Sequence, residues 1–250
     1  RPGNVDREGD YEDLRFEHFL AGAVGARAGL RAAADGAPIG AAFESAIEGM
    51  SGQSGGNTQF GALLVTVPLV RAAAAGRLTP DGVTETVEAT TVEDACAFYE
   101  AFEHVDVAVE DPPEGLDPLD VRRGAAAADA LRERGATLYD VMALSADRDG
   151  VAAEWCSGFG RSLEAAAGLR GDGGPIHRRA SRASLRLLAA EPDTFVATRN
   201  GEAAAEEATR RARAVLDGEA DAESLAEEFV ARDINPGTTA DITAGALFVA

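Results

Sequence analysis

Three short turns carry the residues best suited to chemistry, and they share a grammar. Arg1-Pro2-Gly3-Asn4-Val5-Asp6-Arg7, Gly55-Gly56-Asn57-Thr58 and Asn235-Pro236-Gly237-Thr238-Thr239-Ala240-Asp241 each combine glycine with asparagine. The second and third lead into apolar stretches. A glycine-rich loop feeding a helix start presents unpaired backbone N–H groups, a ready cradle for phosphate. The ordinary alternative is a turn closed by Asn57 or Thr58 as a helix cap. Asp241, three residues after Thr238, is likewise explained as the acidic partner of a cap. Together the three turns suggest helix N-termini that converge on one polar pocket.

Carboxylates and arginines supply the remaining candidates. Glu44 and Glu48 share one helix face. They either face solvent or form a pair able to grip Mg²⁺ near the glycine loop. Asp147 and Asp149 bracket Arg148, with Glu154 beyond Gly150. Helix termination and local ion pairing explain them, and a metal or base role stays open. Arg178, Arg179 and Arg182 form a basic knot beside the turn at 171–175, a candidate phosphate clamp. Arg199, near the end of the segment from Asp193 to Gly201, is another. His18 and His177 are lone histidines, and in an amphipathic helix that residue is usually structural. No Cys/His spacing suggests zinc, and Cys96 and Cys156 read as buried free thiols.

The elements that position these residues read as helix after helix. Asp13 is a candidate cap for a helix whose Phe16, Phe19, Leu20, Ala23 and Val24 form an amphipathic stripe. A second helix over 41–50 runs up to the glycine loop. Residues 62–70 are apolar on every side, so this helix must be buried at the centre. Pro68 is awkward there, whether the segment is helix or strand. Thr79-Pro80 marks a cap and first helical residue. Thr91 with Asp94, and Thr137 with Asp140, carry a Thr-x-x-Asp capping signature. Residues 110–116 form a loop, and Asp117-Pro118 announces a helix ending at Gly135. The helix after Thr137 stops near Gly150. One helix is then expected to carry Trp155, Phe159 and Leu163, followed by helices over 176–190, 202–217 and 221–232. Asp193 to Gly201 reads as short and irregular or extended. A final apolar helix follows Asp241. No period-two alternation occurs anywhere, so the fold class is all-α, a single-domain bundle of many helices over 1–250 around a buried central helix.

Composition narrows the function. With 46% hydrophobic and 26% charged residues the chain is globular. No apolar run approaches the roughly 20 residues of a membrane span. Arginine supplies all 23 basic residues, against 43 acidic ones, for a net charge of −20. Such a surface repels itself unless salt screens it, which points to a salt-rich, halophilic cytoplasm. No basic stripe exists to neutralise a nucleic-acid backbone. The chain begins abruptly inside a motif, so residues before Arg1 are expected.

The ordered segments Pro2 to Arg7, Gly55 to Gly61, Asp193-Thr194 with Arg199 and Gly201, and Pro236 to Asp241 resemble the triphosphoribosyl-dephospho-CoA synthase family, in its archaeal-type branch. The resemblance spans essentially the whole chain. It implies an all-helical, Mg²⁺-dependent transferase in which the ribose 2′-hydroxyl of 3′-dephospho-CoA attacks C1′ of ATP and displaces adenine. Arg1, Asn4, Asn57, Thr58 and Arg199 would then hold the nucleotide, with Asn235 and Thr239 lining the pocket. Glu44, Glu48 and Asp241 are the metal candidates, and Glu48, Asp241 and Asp6 the catalytic ones. Partners would be ATP and a dephospho-CoA-like acceptor, with a homodimer as an option. Arg1 stands where the family usually has lysine, and Gln59-Phe60 where it has His-Lys; the region from Tyr11 to His18 also departs, which leaves the acceptor open. The rival readings are a Mg²⁺-dependent all-α hydrolase of nucleotides or ADP-ribosyl compounds, and a non-catalytic nucleotide-binding protein.

Overall fold

A computed structural model describes residues 3–5, 10, 14–112 and 115–250. Arg1 and Asp6, and the candidate cap Asp13, lie outside the described residues. The chain runs through α1 (Phe16–Gly25), α2 (Arg27–Ala34) and α3 (Ile39–Met50) to the glycine-rich loop, then α4 (Phe60–Ala74), α5 (Pro80–Glu88) and α6 (Val92–Glu100). Turns and three-ten helix lead to α7 (Ala128–Arg134), α8 (Leu138–Ala143) and α9 (Gly150–Cys156). The last part comprises α10 (Gly160–Gly171), α11 (Ile176–Ala190), α12 (Thr194–Asn200), α13 (Glu202–Leu216), α14 (Ala222–Ala231) and α15 (Gly237–Val249). No strand occurs among the described residues, so the class is all-α. None of the described helices is long and apolar enough to cross a membrane.

Local capping chemistry starts several of these helices where the residue types demand it. Thr79 accepts from Gly82 N with Pro80 at the first helical position of α5. Thr91 and Asp94 form both bonds of a capping box at α6, and Thr137 with Asp140 does the same at α8. At α1, Asp10 Oδ1 accepts the Phe16 N–H at 2.8 Å.

α4 is the axis. Its Leu63, Leu64, Val65, Val67, Leu69 and Ala72 are all buried, as a helix with no polar face requires. Pro68 has no N–H, so the carbonyl four residues back, on Leu64, loses its helical donor. The indole of the fully buried Trp155 replaces it, Nε1 donating to Leu64 O at 3.1 Å. The proline is thus tolerated because a neighbouring helix completes the ladder. α15 lies against α4 at a glycine: a Cβ on Gly245 would come within 2.4 Å of Val65 Cγ1. Phe43, Phe60, Phe98 and Phe102 surround the start of α4, with ring centroids 5.1 Å apart for Phe43–Phe60 and 4.8 Å for Phe60–Phe102. Such pairs add about 0.5–1.5 kcal/mol each beyond burial. A second, aromatic-poor core joins α11 to α14 through Leu188, Val196, Ala205, Ala208 and Phe229.

Three sequence expectations change. The segment after Asp193 is helical, because Asp193 Oδ1 caps it at Val196 N (3.0 Å) and Val196 is buried against the second core. Trp155, Phe159 and Leu163 do not share one helix: Gly158 and Phe159 both take left-handed backbone, with φ of 65° and 59°. The buried Glu154 carboxylate then restarts the chain by accepting Arg161 N and Ser162 N at the head of α10. The stretch from Asp117 to Gly135 is also not continuous. It opens as three-ten helix, is interrupted at Gly124 (φ 53°), and becomes α-helical only from Ala128.

Candidate functional site

The starts of α4, α9, α12 and α15 meet around one cavity. Its apolar wall is built by Phe60 and Leu64 of α4, Phe98 and Tyr99 of α6, and Phe102 just beyond α6. Tyr99 donates its hydroxyl to Leu119 O at 2.6 Å, and burial, helped by nearby Asp120, pushes its pKa up. The polar wall brings together Asn57, Asp241, Thr194, Thr238, Arg148 and Asp149.

Each polar residue arrives on a helix start whose own bonds fix it. Asn57 Oδ1 accepts the Phe60 N–H at 3.1 Å, which closes the glycine loop onto α4 and leaves its amide NH₂ for the cavity. Asp241 leans its carboxylate on the first turn of α4. A Cβ on Gly61 would lie 2.0 Å from Asp241 Oδ2, so only glycine leaves room for that carboxylate. The partial positive charge of a helix start favours an acidic group there.

One hydroxyl–carboxylate pair and one hydroxyl–hydroxyl pair stitch the remaining starts together. Asp193, only 3% exposed, accepts Thr239 N and Thr239 Oγ1 with Oδ2, both at 2.7 Å, and so ties α12 to α15. Burial raises its pKa, although the bonds from Thr239 and Val196 oppose the shift. Thr194 Oγ1 lies 2.9 Å from Thr238 Oγ1 and accepts the Gly150 N–H at 3.0 Å, which joins α9 to both. Thr238 therefore serves the contact with α12, and the α15 N-cap Pro236 makes no side-chain cap, so Asp193 rather than a Thr238–Asp241 cap takes a first-turn amide.

Asp149 caps α9 through Oδ1, which accepts Val151 N at 2.9 Å and Ala152 N at 2.8 Å. The surrounding protein raises its pKa, with Glu110 adding to the rise and Arg148 and the two amides opposing it. Arg148 donates to Asp111 O at 3.2 Å, and Thr198 Oγ1 to Glu110 Oε1 at 3.0 Å. These bonds hold the chain around 107–112 along one side of the cavity.

Of the residues singled out from sequence, Asn57, Arg148, Asp149, Thr238 and Asp241 share this cavity. Thr239 is buried directly behind its wall, on Asp193. Asn4 Nδ2 donates to Asn235 Oδ1 at 2.6 Å, so the first and last turns do meet, but neither asparagine lines the cavity. Thr58 also lies off the wall. Arg199 is exposed, stacked over Phe195 at 5.8 Å and paired with Asp233 at 3.4 Å. Glu44 and Glu48 are outside the wall too. Glu44 faces His104 at 3.7 Å, and burial with neighbouring Glu100 raises its pKa; Glu48 is exposed. No group of three metal-capable side chains forms among the described residues. The knot near 178 is engaged elsewhere: Arg179 donates to Leu169 O at 2.8 Å, and Arg182 to Asp172 and Gly173 O. Cys96 and Cys156 are free thiols whose pKa values burial pushes up.

Sequence reasoning underweights Arg148, Asp149, Thr194 and Thr238. Each has a sufficient local explanation as a cap or ion pair. What distinguishes them is that their helix starts face one space.

A model of the CitG family, ATP:dephospho-CoA triphosphoribosyl transferase, matches residues 1–250. No curated protein matches the chain. Among solved structures, the chain is similar to a crystal structure of a candidate triphosphoribosyl-dephospho-CoA synthase from Archaeoglobus fulgidus. The TM-score is 0.76 at 26% identity, over 94% of this chain and 97% of that one.

Proposed function

The chain belongs to the ATP:dephospho-CoA triphosphoribosyl transferase family, a family of transferases, and from that premise we propose that its cavity carries the transfer. A hydroxyl of a dephospho-CoA-like acceptor attacks C1′ of ATP, the C1′–N9 bond breaks, and adenine leaves. The observation that carries this reading is that Asn57, in the glycine loop, and Asp241, in α15, face one cavity with an aromatic and a polar end. The faces of Phe60, Phe98 and Phe102 suit a planar base. The start of α4, the Asn57 amide and the Arg148 guanidinium suit phosphate oxygens. Displacing adenine builds positive charge on the sugar, as in glycoside cleavage, and the Asp241 carboxylate is the group positioned to offset it.

Mg²⁺ belongs to the same proposal. It typically takes one or two carboxylates together with substrate phosphates, so it needs no all-protein cage. Asp241, seated in the hollow above Gly61, fits that requirement and would hold it. When bound, the ion supplies charge neutralisation at the triphosphate. We further place the protein in a salt-rich cytoplasm, on the strength of its lysine-free surface and net charge of −20.

Incubation with ATP and Mg²⁺, with and without 3′-dephospho-CoA, tests the transfer. Adenine released only with the acceptor is the expected result. Release without it, with free ribose triphosphate, would show a hydrolase, and binding without adenine would show a non-catalytic protein.

A further inference from the structure

We infer that Asp149 is the general base of this reaction, the group that takes the proton from the attacking hydroxyl. The inference rests on the transfer proposed above and gives Asp149 the base role that its sequence context leaves open.

Among the described residues, four carboxylates line the cavity: Glu110, Asp120, Asp149 and Asp241. Asp120 is held by Arg122, whose Nε and Nη2 donate to its oxygens at 2.9 and 2.6 Å. That pairing keeps its carboxyl below the usual range, which makes it a poor proton acceptor. Glu110 accepts from Thr198 on the exposed side of the cavity, in the segment that Arg148 holds. Asp241 leans on the start of α4 next to Asn57, the end suited to phosphate and cation. Asp149 remains, and its geometry is that of a prepared base. One oxygen, Oδ1, is fixed by two backbone amides of α9. The other accepts no hydrogen bond among the described residues, and the exposed side chain opens into the cavity. The surrounding protein and Glu110 raise its proton affinity, while the two amides and Arg148 oppose the rise. A carboxylate with one oxygen anchored, the other open to the cavity and its proton affinity raised is what proton abstraction requires.

The step balances. The acceptor oxygen forms its bond to C1′ as the C1′–N9 pair leaves with adenine. The hydroxyl proton passes to the free Asp149 oxygen, adenine takes one proton from solvent as it leaves, and the Asp149 carboxyl returns its proton to solvent. No oxidant or further reactant is needed.

Asp149→Asn tests this, because asparagine caps a helix about as well as aspartate and preserves the Oδ1 bonds while removing the basic oxygen. The expected result is kcat lower by about 10²–10⁴-fold, with KM for ATP and the melting temperature near wild type. Asp149→Glu should restore part of the rate, and the acidic limb of the wild-type kcat/KM profile should vanish in Asp149→Asn. Wild-type release of adenine with a fully active Asp149→Asn variant would overturn the base assignment and leave the transfer standing. An unchanged acidic limb in that variant would overturn it as well. Wild-type protein that releases no adenine would instead remove the transfer itself, and the base with it.

Discussion

Two regions of this molecule place arginines beside aspartates, and they use them in opposite ways. At the junction of α10 and α11, Arg182 and Arg186 both donate to Asp172, and Arg179 and Arg182 also donate to Leu169 O and Gly173 O. These arginines close the end of α10, whose last carbonyls need donors. In the cavity, Arg148 gives a bond to one carbonyl, and Asp149 keeps an oxygen unbonded by protein. A cation whose donors are already engaged by its own fold has little left for a ligand. With 23 arginines against 43 acidic residues, what distinguishes a binding arginine here is unsatisfied donors in a recess, and clustering in sequence is a poor guide to that.

The sharpest way to break the contrast is at Gly61. Its Cβ would collide with the end of a side chain, Asp241 Oδ2, at 2.0 Å, so Gly61→Ala should displace the carboxylate and leave the helix standing. A shift of about 1 Å at a reacting centre costs roughly 100-fold. The expected result is kcat/KM for adenine release lower by about 100-fold, with a melting temperature close to wild type. If activity is retained, Asp241 has no part in the chemistry.

Arg148→Gln comes next, paired with Arg182→Gln. Losing charge-assisted bonds worth about 1.5–3 kcal/mol should raise KM for ATP by about 10- to 100-fold in the first variant. In the second, steady-state kinetics should be unchanged, because Arg182 serves Asp172 and Gly173. Equal effects in both would erase the distinction between the two regions.

The sequence makes legible whatever local chemistry decides. The capping boxes at Thr91 and Thr137, the Thr79-Pro80 start and the span Ile176–Ala190 follow from residues within a few positions of each other. So does the burial of α4. The helix after Asp193 is harder to see, since Asp193 caps it and at the same time holds Thr239 from the other end of the chain. The break at Phe159 depends on a left-handed non-glycine residue, which Glu154 makes tolerable by capping the next helix. The same logic governs the site. Asn57 and Asp241 stand out because their turns are unusual. Asp149, Thr194 and Thr238 look complete as ordinary caps, and only the packing of α9, α12 and α15 shows that they face the same space.

The structural side of the comparison has its own test in the core. Trp155→Phe keeps an aromatic ring but removes the donor to Leu64 O, the carbonyl that Pro68 leaves without a partner. A buried acceptor left unsatisfied costs about 1–3 kcal/mol. Urea denaturation should show a lower midpoint at an unchanged slope, while the rate per folded molecule stays at the wild-type level. A fall in that rate without a fall in stability would mean that Trp155 reports on the cavity as well as on the ladder.

The smallest effect is expected at Asp172, and its pH dependence carries the information. The arginines at 186 and 182 hold this carboxyl below the usual aspartate range, so the folded protein binds its proton less readily than the unfolded chain does. Its contribution to stability is therefore fully present above the unfolded value of about 3.9 and is lost as pH falls through the folded one. Asp172→Asn should lie slightly below wild type in stability between roughly pH 5 and 8, and the gap should close below about pH 4. Asp149 is shifted the other way, upward by the surrounding protein and Glu110, so removing its charge should not reproduce that acid-dependent convergence. A gap for Asp172→Asn that persists at low pH would show that its arginines hold α10 without help from the charge, and the contrast with the cavity would then rest on geometry alone.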